Sequence, residues 1–142
     1  MGPGSTGDPA SVTEGLGSRY NITAMTFKNH GCCGHSFAAI DAALALQAEH
    51  GFAADEVARI RVGTYKTAID VTGPARAGTA FEGRFSSPFV VATALVHGSV
   101  RLDAFSDERL RDGRVHALMN RVEMAVDPQC DAEFPGRAVF RS

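Results

Sequence analysis

Between residues 35 and 50, apolar side chains recur every three or four positions, at Phe37, Ile40, Leu44 and Ala48. That spacing predicts a helix with one buried stripe, and six alanines in the same stretch favour it intrinsically. Ser36 reads as its N-cap and Gly51 as its stop, while Ala42, Ala43 and Ala45 leave room for a close neighbour. After a short turn at Ala54-Asp55-Glu56 the period drops to two. Ile60 and Val62 alternate with Arg59 and Arg61, predicting a strand over 57–65 with one buried and one wetter face. A second helix is predicted over 85–97. Pro88 fits its first turn, and the nearly unbroken apolar run 89–96 implies burial on both faces, with Gly98 just beyond. Val90-Val91 taken alone would suit a strand equally well.

The remaining pattern is weaker. Residues 1–17 are rich in Gly, Pro, Ser and Thr and read as a flexible tail or tag with a linker remnant. Tyr20, Ile22, Met25 and Phe27 predict a short strand over 19–27. Residues 66–83 carry Gly73-Pro74, Gly78 and Gly83 and read as a long loop with room for one helical turn. Ser106 is placed to cap a turn at 107–109, and 114–120 reads as another short helix. Strands are expected at 123–126 and 138–140, joined by a Pro- and Gly-bearing loop at 128–136. Helices alternating with a few strands predict an α+β fold, or an α/β sandwich, with one small sheet packed with helices. The domain reading is a tail at 1–17 and one α+β unit over 18–142.

Composition narrows the function classes. The 142 residues suit one domain; hydrophobic residues are 44%, charged residues 21%, and the net charge is -2. No basic block interleaved with aromatics appears, so nucleic acid is not an expected partner. No apolar run approaches the ~20 residues of a membrane span. Three cysteines, two of them adjacent, make a poor disulfide framework and leave one thiol over. With no signal peptide, the expected setting is reducing and cytoplasmic, and the glycosylation pattern Asn21-Ile22-Thr23 carries no meaning there.

The chemistry is concentrated in Lys28-Asn29-His30-Gly31-Cys32-Cys33-Gly34-His35, directly ahead of the first helix. Four readings fit. Thiolates and imidazoles suit zinc, but the second half of a structural site is missing and Cys130 alone does not supply it. A Cys/His nucleophilic pair would need an orienting third group and an oxyanion pocket. Packing and helix capping without chemistry is the plainest reading. The fourth is an anion and proton-transfer site: Lys28 pairs a carboxylate, glycine-spaced N–H groups hold its oxygens, and a histidine or thiol moves a proton. Arg84, beside Phe85-Ser86, would add a bidentate contact.

Two blocks of the sequence resemble the MmgE/PrpD family. The first runs Phe27-Lys28-Asn29-His30-Gly31-Cys32-Cys33-Gly34-His35-Ser36-Phe37-Ala38-Ala39-Ile40-Asp41-Ala42. The second runs Gly83-Arg84-Phe85-Ser86-Ser87-Pro88-Phe89-Val90-Val91-Ala92-Thr93-Ala94-Leu95. The resemblance covers roughly residues 12–140, with Gly98 and Phe105 spaced as in that family. It implies enzymes of small polycarboxylates, among them 2-methylcitrate dehydratase, cis-aconitate decarboxylase and iminodisuccinate epimerase, that use no organic cofactor or metal. It also implies a large helical domain that forms a homodimer, a smaller α+β lid, and an active site between the two.

On that resemblance this chain is part of the lid, continuing past Phe140 in a complete protein, and is expected to be inactive without the helical domain, whether that domain lies in the same protein or a separate chain. Lys28 matches the family lysine that faces substrate. Cys33 falls where the decarboxylase has a catalytic histidine and the dehydratase branch more often cysteine, which points away from decarboxylation. The implied catalytic residues are Lys28, Cys33 and His35; the implied substrate contacts are Lys28, Arg84 and Ser86; Asp41 is implied to be structural. The implied chemistry is proton removal next to a carboxylate, then loss of water, with epimerisation or decarboxylation as alternatives. A non-catalytic binding or assembly module that keeps only the packing motif is the alternative of a different class.

Overall fold

The structure, a computed structural model, describes residues 13–25 and 27–134. In chain order the elements are α1 (Phe37–His50), β1 (Ile60–Thr64), α2 (Lys66–Thr72), α3 (Ala80–Arg84), α4 (Ser87–His97), α5 (Asp107–Leu110), α6 (Gly113–Met119), β2 (Val122–Val126) and α7 (Pro128–Glu133). The fold is mixed α+β: β1 and β2 form a two-stranded parallel sheet among helices, with Ile60 opposite Val122 and Thr64 opposite Val126.

Everything is arranged around α4. Every residue from Ser87 to Leu95 is buried, so the apolar run anticipated for this segment meets neighbours on all sides. The helix form is settled at its ends. Ser86 Oγ accepts from the Phe89 N–H at 3.3 Å, Pro88 fills the first turn, and Gly98 takes the left-handed conformation at φ 75°. Helices α1 and α6 pack along it. Ile40, Val100, Val115 and Leu118 complete the core with Phe89. Fully burying side chains of this size contributes about 1.5–3 kcal/mol each. At the far end, Gln47 Nε2 donates to the carbonyls of Phe52 and Leu95, tying the end of α1 to the end of α4.

Burying the start of α4 also buries hydroxyls. Ser36 Oγ and Ser87 Oγ are 2.8 Å apart, as are Ser87 Oγ and Thr72 Oγ1, and Thr72 donates to the Ala68 carbonyl at 2.7 Å. Because Thr72 spends its proton on that carbonyl, its oxygen accepts from Ser87, whose oxygen accepts from Ser36. The chain of hydroxyls therefore has one direction, and it joins the starts of α1 and α4 to the end of α2. Ser36 takes the N-cap position of α1 as expected, but its side chain makes no capping bond; it closes a 3₁₀ turn at Gly34–Ser36 and turns its hydroxyl inward. Gly51 does stop α1, at φ 67°.

Several expectations are corrected. The segment expected as a strand over 19–27 holds a 3₁₀ turn at Asn21–Ala24, and Tyr20, Ile22, Met25 and Phe27 are all exposed. Thr23 Oγ1 donates to the Tyr20 carbonyl at 2.8 Å, a local bond that competes with ladder pairing. Residues 66–83 contain two helices instead of one loop. In α2, Lys66 and Asp70 pair one turn apart at 2.7 Å. In α3, Thr79 and Glu82 cap each other reciprocally at 3.2 and 3.1 Å. The loop expected at 128–136 is α7 over its first half, where Asp127 accepts from the N–H groups of Gln129 and Cys130 ahead of Pro128. The strand expected at 138–140 and the tail at 1–12 lie outside the described residues. The turn at 54–56, the strand core at 60–64, the short helix after Ser106 and the helix near 114–120 stand as expected.

Below the C-terminal end of α4 sits a half-buried polar cluster. An Arg109 guanidinium N–H contacts His97 Nδ1, and His97 Nε2 lies 3.0 Å from Asp112 Oδ2 without forming an aligned hydrogen bond. Burial first, then the Arg109 charge, holds the imidazole pKa below its usual value, although Asp112 pulls the other way. Hydrogen bonding from Arg114 holds the Asp112 carboxyl down to about 2.

Two outcomes follow from these groups. Ser87→Ala should cost about 1–3 kcal/mol in urea unfolding, because it strands the Ser36 proton and a Thr72 lone pair; the loss should shrink in Ser36→Ala/Ser87→Ala. His97 and Asp112 both have folded pKa values below their unfolded ones, so their stabilisation is complete above the unfolded values and lost on acidification. The unfolding midpoint should therefore start to fall as pH drops below about 6.5 and fall again toward pH 2. His97→Phe should flatten the first decline.

Candidate functional site

The reactive cluster is held in place mainly by its backbone. The Gly31 N–H donates to the Val100 carbonyl at 2.9 Å, and the Cys33 N–H donates to the Arg84 carbonyl at 2.9 Å. The two sequence blocks, about fifty residues apart, thus meet at Cys33–Arg84 and again at Ser36–Ser87. Gly31 suits the first contact: a Cβ there would stand 3.2 Å from the carbonyl carbon and oxygen of Arg101, closer than ordinary packing. These bonds also correct an expectation. The Gly31 and Cys33 N–H groups are occupied and do not form an open cradle for an anion.

The side chains expected at the site separate into two places. Lys28 is exposed and lines a shallow recess of about 470 Å³ with Asn29, His30, Gly31, Arg101, Leu102 and Asp103. Among the described residues it forms no ion pair. His30 beside it is turned inward: its Nε2 lies 2.8 Å from Asp41 Oδ1 and its ring packs edge-on to Phe37. Asp41, one turn into α1, therefore anchors the cluster to the helix.

His35 lies elsewhere, in a groove of about 400 Å³ between the alanine-rich face of α1 and strand β1. Its Nδ1 is 2.6 Å from the Tyr65 hydroxyl, and Tyr65 stacks flat on Phe134 at 3.9 Å. Burial, and then Cys33, push the Tyr65 pKa up, so its phenol keeps its proton at neutral pH. Cys33 is half-buried, close enough to Tyr65 and to Cys32 to act on the pKa of both. Tyr65 was missed in the sequence, since a tyrosine closing a strand thirty residues away carries no local signal.

The two cysteines are chemically unlike. Cys32 is buried, and that burial pushes its thiol up to about 12 although Lys28 pulls it down. Burial wins, and Cys32 is a core residue, not a nucleophile. Arg84 is exposed at the end of α3 with its guanidinium 5.3 Å above the Phe105 ring. Ser86 has no exposed surface, and its hydroxyl is engaged as the cap of α4. Among the described residues no three His, Cys, Asp or Glu side chains gather in a group that could hold a metal ion, and no helix is long and apolar enough to cross a membrane.

Comparison with known proteins gives two findings. Residues 30–141 match the MmgE/PrpD C-terminal domain, a span that opens two residues after Lys28. The chain is also 31% identical over 121 residues to the cis-aconitate decarboxylase-like protein oryM of Aspergillus oryzae, an alignment covering 80% of this chain and 25% of that protein. The chain therefore spans about a quarter of the length of the curated relative it matches.

The contrast between the neighbouring thiols is open to direct measurement. At pH 7, iodoacetamide should label Cys33 at least ~10-fold faster than Cys32, read by peptide fragmentation. Equal labelling in the folded protein would contradict the burial that sets Cys32 apart.

Proposed function

The chain belongs to the MmgE/PrpD family, and from that footing we propose that it is the lid portion of a cofactor-independent lyase acting on small di- or tricarboxylates. The observation that carries this reading is Lys28, an exposed cation in a polar recess, with no counter-ion among the described residues. Removing a proton from the carbon next to a carboxylate drives electron density onto that carboxylate. A fixed ammonium group beside it lowers the barrier where water cannot. Lys28 is assigned to that task.

In the elimination step, the C–H electron pair becomes the new C=C bond and the neighbouring hydroxyl leaves as water, taking a proton as it goes. Cys33 and His35 are the proton carriers assigned on this chain, with Arg84 as a carboxylate contact. His35 is well placed to hold one tautomer, because Tyr65 fixes its Nδ1. Ser86 is assigned to the support of that region through α4, since its hydroxyl is engaged there. The working protein joins this lid to a helical domain, in one polypeptide or as a separate chain, acts as a cytoplasmic homodimer, and needs no metal or organic cofactor.

Decarboxylation is the second reading, favoured by the name of the Aspergillus relative; Cys33, where the decarboxylase branch has histidine, weighs against it. The test uses this chain reunited with its helical domain and offered 2-methylcitrate and cis-aconitate. Loss of water from the first supports the dehydratase reading, and release of carbon dioxide from the second selects the alternative. Lys28→Ala should lower kcat/KM at least ~100-fold in either case with the circular dichroism spectrum unchanged. Full turnover in that variant would remove the assignment of Lys28.

A further inference from the structure

A second cation shares the Lys28 recess. Arg101, from the loop after α4, lines the same depression as Lys28, which Arg84 does not. We propose that Lys28 and Arg101 form a two-point clamp for a ligand with two carboxylates, Arg101 being the residue that distinguishes polycarboxylates from monocarboxylates. The inference rests on the reading of Lys28 given above and adds to it the site of the second carboxylate.

The geometry is fixed by the backbone on both sides of the recess. Arg101 Nη1 donates to the Asn29 carbonyl at 2.8 Å, next to Lys28 in sequence, and the Gly31 N–H reaches the Val100 carbonyl at 2.9 Å. These two bonds stitch 29–31 to 100–101, so the backbone that carries Lys28 and the Arg101 head group are held beside each other. The bond to Asn29 uses one side of the guanidinium fork. Among the described residues the rest of the fork has no ion-pair partner, which leaves a planar pair of donors for a carboxylate. Holding the donors in advance lowers the entropy lost when the ligand binds.

Asp103 faces the same recess and sets the charge balance. Its carboxylate leaves a net excess of one positive charge beside the two cations, and it repels a carboxylate that strays from the clamp. The His30 imidazole is directed to Asp41 at 2.8 Å. The ligand class assigned to the clamp is a compact molecule with two carboxylates a few carbons apart.

The test is titration of the ¹⁵N-labelled 142-residue chain with citrate and with butyrate at fixed ionic strength. Citrate should move the amide signals of 28–31 and 100–103, and butyrate should bind at least ~10-fold more weakly. Arg101→Gln should weaken citrate ~10-fold or more and leave butyrate unchanged, with Arg101→Lys between the two. Asp103→Asn, which leaves both stitching bonds intact, should tighten citrate. Unchanged citrate binding in Arg101→Gln together with a loss in Lys28→Ala overturns the clamp while sparing the reading of Lys28. No loss in either variant, or no shift of these signals in the parent chain, overturns both. If Arg101→Gln disturbs the dispersion of the spectrum, the Asp103→Asn result decides: citrate binding no tighter than in the parent overturns the clamp.

Discussion

The burial of α4 from Ser87 to Leu95 is the constraint from which the rest of this structure follows. A helix with no wet face over nine residues must be surrounded on every side there, and polar groups at its buried start must find partners inside the protein. Helices α1 and α6 supply the apolar walls. Ser86 and the Ser36–Ser87–Thr72 hydroxyl chain supply the partners. Those same hydroxyls bring the turn ahead of α1 onto the start of α4, and that turn carries the reactive cluster. Packing and chemistry are therefore joined at one place, and the position of Cys33 against Arg84 is a consequence of how α4 is closed.

How much of this was legible in the sequence depended on whether the signal was local. The two long helices, the Gly51 and Gly98 stops and the alternation of β1 were legible because periodicity and turn chemistry lie within a few residues of each other. The short helices α2, α3 and α7 were hidden by glycine and proline nearby, although Thr79-x-x-Glu82 and Asp127-Pro128 are capping signals in their own right. The supposed strand at 19–27 failed for the opposite reason: its apolar residues alternate well, but alternation does not say that a partner edge exists, and they stand in solvent.

The site shows the same division. Lys28 as an exposed cation and the cluster's place ahead of α1 were readable from residue types and spacing. Its division into a recess around Lys28 and a groove around His35 was not, since it depends on loops more than thirty residues downstream. Nor could two adjacent cysteines be told apart by sequence; only burial makes Cys32 a core residue and leaves its neighbour half-buried. The Gly31 and Cys33 N–H groups, in the stretch expected to cradle an anion, are structural stitches. At position 31 glycine suits nearness to another strand of backbone, which a sequence does not distinguish from nearness to a ligand.

The parallel pairing of β1 with β2 has a consequence in time. The strands are about sixty residues apart in the chain, and closing a loop of that length costs roughly 4 kcal/mol of chain entropy before any constant. Five residue pairs in a two-stranded ladder repay that poorly, so the sheet is a poor place for folding to begin. The contacts of α1 with α4 close a loop nearly as long but bury the apolar core, and they bring the two strands within reach of each other. Chains leaving the ribosome would hold β1 unpaired until β2 has emerged, exposing a bare strand edge for seconds during synthesis.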